Sequence, residues 1–192
     1  MDELVIRRYG DPVLRAVGAP VKEFGAPLRT LGAAMLATMK AAKGIGLAAP
    51  QVGLSLQLFV MDVHDGDFPP VLDGQARAPE TIMPMLLANA TMTVPGGEPE
   101  TYTEGCLSFP GVTGDVERVE RAIVRYRDAD GAPHVLECAG LLARCVQHEH
   151  DHCQGVLFID RMTRQHQLIT AAKVKKLKRA TAAELKAARK AG

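Results

Sequence analysis

The chain has 192 residues, 47% of them hydrophobic and 23% charged, and a formal net charge of +1. That length and apolar content describe a globular chain with material for one well-buried core, so a single catalytic-size domain over residues 1–192 is expected and intrinsic disorder is excluded. No stretch approaches the roughly 18 to 20 uninterrupted apolar residues that cross a bilayer, which excludes a membrane span.

The small net charge conceals a polarised distribution. Residues 161–192 carry ten Lys or Arg and one acid, Glu184, a net of +9; removed from the totals of 23 basic and 22 acidic residues, they leave −8 on residues 1–160. The overall balance argues against a nucleic-acid coat, and no DNA-binding role is expected. The basic terminal segment either meets a polyanion or is a solvated helix face. The opening residues Met1-Asp2-Glu3-Leu4-Val5-Ile6-Arg7-Arg8 resemble neither a secretory signal nor an acid-poor transit peptide, so a cytoplasmic protein is expected. Thiols stay reduced there, and Cys106, Cys138, Cys145 and Cys153 are read as metal ligand, nucleophile or core rather than as disulfides.

In chain order, residues 25–42 place Leu28, Leu31, Met35 and Met39 at helical spacing, with Pro27 suited to the first turn. A Gly-rich segment, residues 44–53, precedes a buried strand at residues 56–61. Residues 64–80, rich in Gly, Pro and Asp, read as an exposed loop. Strands are expected at residues 81–83, 87–94, 122–127 and 134–138, the last two joined by a hairpin through Asp128-Ala129-Asp130-Gly131. Helical patterning returns over residues 141–154, ended by Gly155, and again over residues 164–190, where Val174, Leu177 and Leu185 share a stripe among lysines. This order predicts an α+β fold, mostly antiparallel sheets around a central helix, with a basic C-terminal helix over residues 165–192.

The chemistry concentrates in Gln147-His148-Glu149-His150-Asp151-His152. On a helix, His148 and His152 share a face and can reach one divalent metal, with Glu149 beside them. A two-residue step turns His150 about 200° away, so it is read as a surface or supporting histidine. Two imidazoles leave a catalytic metal one protein ligand short. The downstream candidates Asp160, His166 and Glu184 lie in a basic helical tail poorly placed to turn back. Upstream, Glu104-Gly105-Cys106-Leu107-Ser108 could lie on a strand beside the helix, and its thiolate would complete a Cys, His, His site. Cys138, Cys145 and Cys153 fit core positions.

Three segments, Gly44-Ile45-Gly46-Leu47-Ala48-Ala49-Pro50-Gln51, Glu104-Gly105-Cys106-Leu107-Ser108 and Gln147-His148-Glu149-His150-Asp151-His152, occur in the order and approximate spacing of the peptide deformylase family, which the chain resembles over nearly its whole length. The resemblance implies removal of the N-formyl group from the initiator methionine of newly made bacterial proteins, with release of formate. It implies that Cys106, His148 and His152 bind the metal, that Glu149 acts as general base and acid, and that Gln51 and the Leu107 backbone N–H hold the oxyanion. It implies ferrous iron in the cell, with zinc, nickel or cobalt able to occupy the same ligands. Ile45, Leu141, Cys145 and the edge of His148 would form the methionine pocket.

The residues support this chemistry independently. A formamide carbonyl is a poor electrophile, and a bound divalent metal supplies both Lewis acidity and a water ionised near neutral pH. Gly44, Gly46 and Gly105 can expose backbone to an extended peptide lying between them, and Arg144 can line the pocket rim with its stem. The sequence departs from the family pattern at Thr113, where many members have an arginine paired with the acid matching Glu104, so Glu104 is expected to lack that partner. Met83 and Cys153 are further departures. Arg118 and Asp151 are retained and are expected either to pair and orient the metal-binding helix or to form an ordinary surface ion pair. Two rivals remain. One is an internal endopeptidase built on His-Glu-x-x-His; the other is a catalytically impaired deformylase-like protein that binds ribosomes or peptides. In a deformylase the basic tail would be a docking element for ribosomal RNA.

Overall fold

The computed structural model describes residues 4–64 and 68–191. Helix α1 (Ala26–Ala41) opens with Pro27 and buries Leu28, Met35 and Met39, the apolar stripe read from the sequence. Strands β1 (Gly46–Ala48), β2 (Leu58–Met61), β3 (Val71–Leu72), β4 (Gln75–Ala76), β5 (Met85–Thr93), β8 (Arg121–Arg127) and β9 (Pro133–Ala139) form a seven-stranded sheet in the order β1-β2-β5-β8-β9-β3-β4. All its neighbouring strands run antiparallel. Strands β6 (Pro99–Gly105) and β7 (Thr113–Val119) pair only with each other, in unbroken register from Pro99↔Val119 to Gly105↔Thr113.

Helix α3 (Gly140–Cys153) covers one face of the large sheet, against Phe59, Met61, Leu87, Val124 and Leu136. Helix α1 covers the other, against Leu58, Val60 and Ala88. Successive side chains of a strand point to opposite faces, and both faces are covered, which is why residues 58–61 are uninterruptedly apolar. A third cluster, built on Leu14, Phe109, Val116, Leu157 and Phe158, receives Val174 and Leu177 of helix α5 (Arg164–Ala191). Thr170 and Thr181 of α5 are buried too. Gly10, at φ +118°, lets the N-terminal segment approach this helix so closely that a Cβ would lie 2.8 Å from the Lys178 carbonyl oxygen. The first half of α5 is therefore part of the packed body.

Several expectations change. Residues 81–83 are not a strand: Pro79–Ile82 is a short helix, α2, started by Pro79. Residues 64–80 are not wholly a loop, because β3 and β4 form a small hairpin paired to β9; residues 65–67 lie outside the described part. The ribbon β6–β7 escapes apolar alternation because six of the seven residues of β6 are solvent-exposed, while β7 turns Arg118 inward beside Gly114 and Val116.

Helix α3 is buried on nearly all sides, so its polar side chains need partners inside the protein. Gln147 Nε2 donates to the carbonyls of Val119 and Ala143, at 2.9 and 3.1 Å. Asp151 Oδ2 accepts from Arg118 Nη1 at 2.8 Å, and the Arg118 side chain is only 2% exposed. The surface-pair alternative for Arg118 and Asp151 is thus overturned: the pair is internal and fixes α3 against β7. Arg161, in helix α4 (Phe158–Arg161), adds a two-pronged bond to the same carboxylate. Removing one member of a buried charge network leaves the others desolvated. The Arg118→Met variant is expected to unfold about 3 kcal/mol more easily, as read from the denaturant midpoint, whereas Arg121→Met on the exposed side of β8 should move it by less than about 0.5 kcal/mol.

Candidate metal centre

His148 and His152 lie one turn apart on α3, with ring centroids 5.0 Å from each other. Cys106 follows the end of β6, and its Sγ stands 3.3 Å from His152 Nε2. One potential ligand atom from each of the three residues lies within 4.8 Å of the others, the one such group among the described residues. Donors bound to a single tetrahedral ion, sulfur at about 2.3 Å and nitrogen at about 2.0 Å, stand roughly 3.5 Å apart, so the observed spacing suits a divalent ion. His152 Nδ1 and Glu149 Oε2 are buried without a hydrogen-bond partner. The orphaned carboxylate oxygen fits a centre whose remaining contacts come from a bound group, whereas Nδ1 lies on the side of the His152 ring away from Cys106. His150 is half-buried and outside the group.

The electrostatics of the centre run through Glu104, on β6. Its Oε2 accepts from His148 Nδ1 at 2.9 Å and from Arg118 Nη2 at 3.2 Å; its Oε1 accepts from Arg118 Nε at 2.7 Å and Arg144 Nη1 at 2.9 Å. Residue 113 gives Glu104 no arginine, as expected, but the carboxylate is not left without partners. Arg118 and Arg144 approach the carboxylate from β7 and α3, and neither could be assigned to it without knowing how the ribbon lies on the helix. Burial alone would raise the Glu104 pKa, but the hydrogen bonds from His148 and Arg118 outweigh it and hold the group down at about 2. With Nδ1 engaged, His148 presents Nε2 to the centre, an orientation typical of metal-binding imidazoles. Burial pushes His152 well below the ordinary histidine range, so it stays neutral with a free lone pair.

Glu149 and Gln51 complete the surroundings. Burial raises the Glu149 pKa to about 7, against the attraction of Arg118, so it can both accept and give up a proton near neutral pH. Gln51 sits in a 3₁₀ turn (Ala49–Val52) and is 1% exposed. Its Oε1 accepts from the Ala48 N–H at 2.8 Å, which turns Nε2 towards Cys106 Sγ and Ser108 Oγ, each 3.4 Å away. The amide orientation follows from this hydrogen-bond pattern.

The centre opens into a cavity of about 550 Å³. Gly44, Ile45, Gly46 and Gln51 line one side, Gly105, Cys106 and Leu107 the other, and Leu141, Arg144, Cys145, His148 and Glu149 of the α3 side lie between them. His152 sits behind, almost wholly buried. The structure therefore brings every site residue expected from the sequence to one place. β1 is an edge strand of the large sheet and β6 an edge of the ribbon, so the cavity lies between two unpaired backbone edges. Gly46 must be glycine: a Cβ there would lie 2.5 Å from Glu149 Oε1 and 2.8 Å from Cys145 Sγ. Burial pushes the Cys145 thiol well up, keeping it neutral in the wall, and lifts Cys138 and Cys153 to about 12 in the core. The sequence reading missed Glu104 as the partner of His148, the ionic role of Arg144, and Tyr102 in the cavity wall. The available signal was Glu104 as the one buried position of an otherwise exposed strand, and Arg118 on the inward-facing alternation of β7.

The family model described as polypeptide deformylase matches residues 4–168. A peptide deformylase of Opitutus terrae is 48% identical over 187 residues, covering 95% of this chain and 97% of that protein. One of Methylacidiphilum infernorum is 40% identical over 176 residues, covering 91% and 92%. Among solved structures, the Thermus thermophilus peptide deformylase superposes with a TM-score of 0.77 at 38% identity, covering 92% of this chain and 98% of that one. The Synechococcus elongatus enzyme, in complex with actinonin, gives 0.74 at 40% identity, covering 91% and 83%. With the matched model spanning most of its length and its Cys, His, His group in the folded centre, the chain belongs to the polypeptide deformylase family.

Proposed function

We propose that residues 1–192 act as one catalytic domain that hydrolyses the N-formyl group of formylmethionine at the start of newly synthesised proteins, releasing formate and a free amine. The observation that carries this reading is the convergence of Cys106, His148 and His152 with Glu149 and Gln51 at a cavity between two open strand edges. As a member of its family the chain is a metal-dependent hydrolase. A divalent ion held by Cys106, His148 and His152, ferrous in the cell by the family resemblance and replaceable by zinc, nickel or cobalt, supplies Lewis acidity and a water acidified to near neutral pH.

The protein's own groups do the rest. Glu149 takes the proton of the attacking water and passes it to the leaving nitrogen as the C–N bond breaks. Gln51 Nε2 and the Leu107 N–H stabilise the negative charge that develops on the formyl oxygen, where losing one such donor costs about 100- to 1,000-fold in rate. The edges of β1 and β6, with Gly44, Gly46 and Gly105, take up the peptide as an added strand, which reads backbone more than side chains. Ile45, Leu141 and neutral Cys145 receive the methionine side chain. An endopeptidase reading leaves residues 104–108 without a role. The binding-only reading rested on Thr113 alone, and Glu104 has its full set of partners without an arginine there.

Among the described residues no helix is long and apolar enough to cross a membrane, and the substrate is made in the cytoplasm, where we place the enzyme. The ribosome is the proposed partner of α5. Val174 and Leu177 face the body, while Lys175, Lys176 and Arg179 are exposed on the other side and Lys173 and Lys178 on its flanks. Charge complementarity to ribosomal RNA supports this docking.

After anaerobic loading with ferrous iron, the protein should release formate from a short formylmethionyl peptide, and Glu149→Ala should lower the rate by at least about 100-fold; equal release by both would sink the reading. Cys106→Ala should lose bound metal on dialysis, and Cys153→Ala should keep it; the reverse would mean that the third ligand is wrong. Truncating α5 would strip Val174 and Leu177 from the core, so charge reversal is the cleaner probe of docking. Replacing Lys175, Lys176 and Arg179 by Glu should weaken cosedimentation with ribosomes at low salt and leave turnover of the short peptide intact.

A further inference from the structure

Arg144 stands on α3 one turn before His148, and its guanidinium does not project into water as a simple rim cation would. Nη1 donates to Glu104 Oε1 at 2.9 Å and to the Val116 carbonyl at 3.2 Å; Nη2 donates to the Glu100 carbonyl at 2.9 Å. One side chain of α3 thereby grips both strands of the ribbon that carries Cys106. The same guanidinium lies 5.3 Å from the centroid of the Tyr102 ring, and both residues line the cavity.

An ionised carboxylate has about four acceptor positions. In Glu104 the four bonds come from Arg118 twice, from Arg144 and from His148. The carboxylate is held between two guanidiniums from different elements, and its remaining position sets the ring of His148. Thr113 sits opposite Gly105 in the ribbon and makes no hydrogen bond to Glu104 among the described residues. We propose that Arg144 is a positioning residue for the metal centre: acting through Glu104 it fixes the His148 ring, and because it also walls the cavity, the substrate pocket and the metal centre share one side chain. This inference rests on the ligand set proposed above.

The test uses the full chain loaded with cobalt, whose visible absorption reports the geometry of a thiolate-ligated ion without requiring turnover. Arg144→Met keeps an unbranched stem in the wall and removes the guanidinium. It should shift the cobalt band, speed loss of cobalt to a chelator by about tenfold, and lower kcat by about tenfold with KM within about threefold of the parent. Arg144→Lys, which can still donate to Glu104, should recover most of each effect. Should the methionine variant fail to fold, Arg144→Gln is read in the same way. An unchanged band and chelator rate in a folded variant, or an effect confined to KM, would overturn the role of Arg144 alone. Absence of a cobalt–thiolate band in the parent protein would instead sink the ligand set and this inference with it.

Discussion

Arg118 is the most deeply placed of the contacts that hold ribbon and helix α3 in one register, beside those made by Arg144, Gln147 and His148. It lies on a two-stranded ribbon, nearly sealed from water, and its guanidinium bonds one carboxylate on the neighbouring strand and another on the buried helix α3. A charge taken this far out of water is tolerated only when its donors are satisfied. That requirement leaves few relative positions for ribbon and helix. Cys106 comes from one side of this junction, His148 and His152 from the other. The spacing of a metal site assembled from two elements therefore depends on a contact one layer behind it.

The same arrangement explains why so much polarity is buried around a single helix. A helix covered on all sides ordinarily carries apolar residues throughout. In α3, Gln147, His148, Glu149, Asp151 and His152 are all buried, and all but Glu149 and His152 have their side-chain atoms largely engaged by neighbours. Replacing such a network by apolar side chains is often neutral or stabilising in other proteins. Stability is then a weak reason for its presence. Holding donor atoms to within a fraction of an ångström is the stronger one, because a site loosened by 1 Å loses most of its chemistry.

The charge polarity of the chain acquires a structural meaning from α5. Its inner stripe closes the third core cluster, while its basic side chains stand exposed on the opposite face and the flanks. One helix is thus both part of the body and its most basic surface. Among the described residues, none of α5 lines the cavity, so the basic surface and the cavity are separate.

Helices over residues 25–42, 141–154 and 164–190, the strand ending at Met61 and the hairpin through residues 128–131 were all legible in the sequence, because each carries a strong local period or turn signal. So was the pairing of His148 with His152, which helical geometry alone puts on one face. The ribbon β6–β7 was not legible, because nearly all of β6 meets water and the inward positions of the pair mix Glu104, Gly114, Val116 and Arg118, which make no apolar period. The short helix at residues 79–82 was misread for want of length. Above all, the sequence by itself determined which residue types are available to hold a metal and move a proton. Tertiary structure alone decided that Glu104 would be held by Arg118 and Arg144 despite Thr113. The reason is that those partners are 14 and 40 residues away, and a hydrogen bond between distant residues is specified by how elements pack, which no local period encodes.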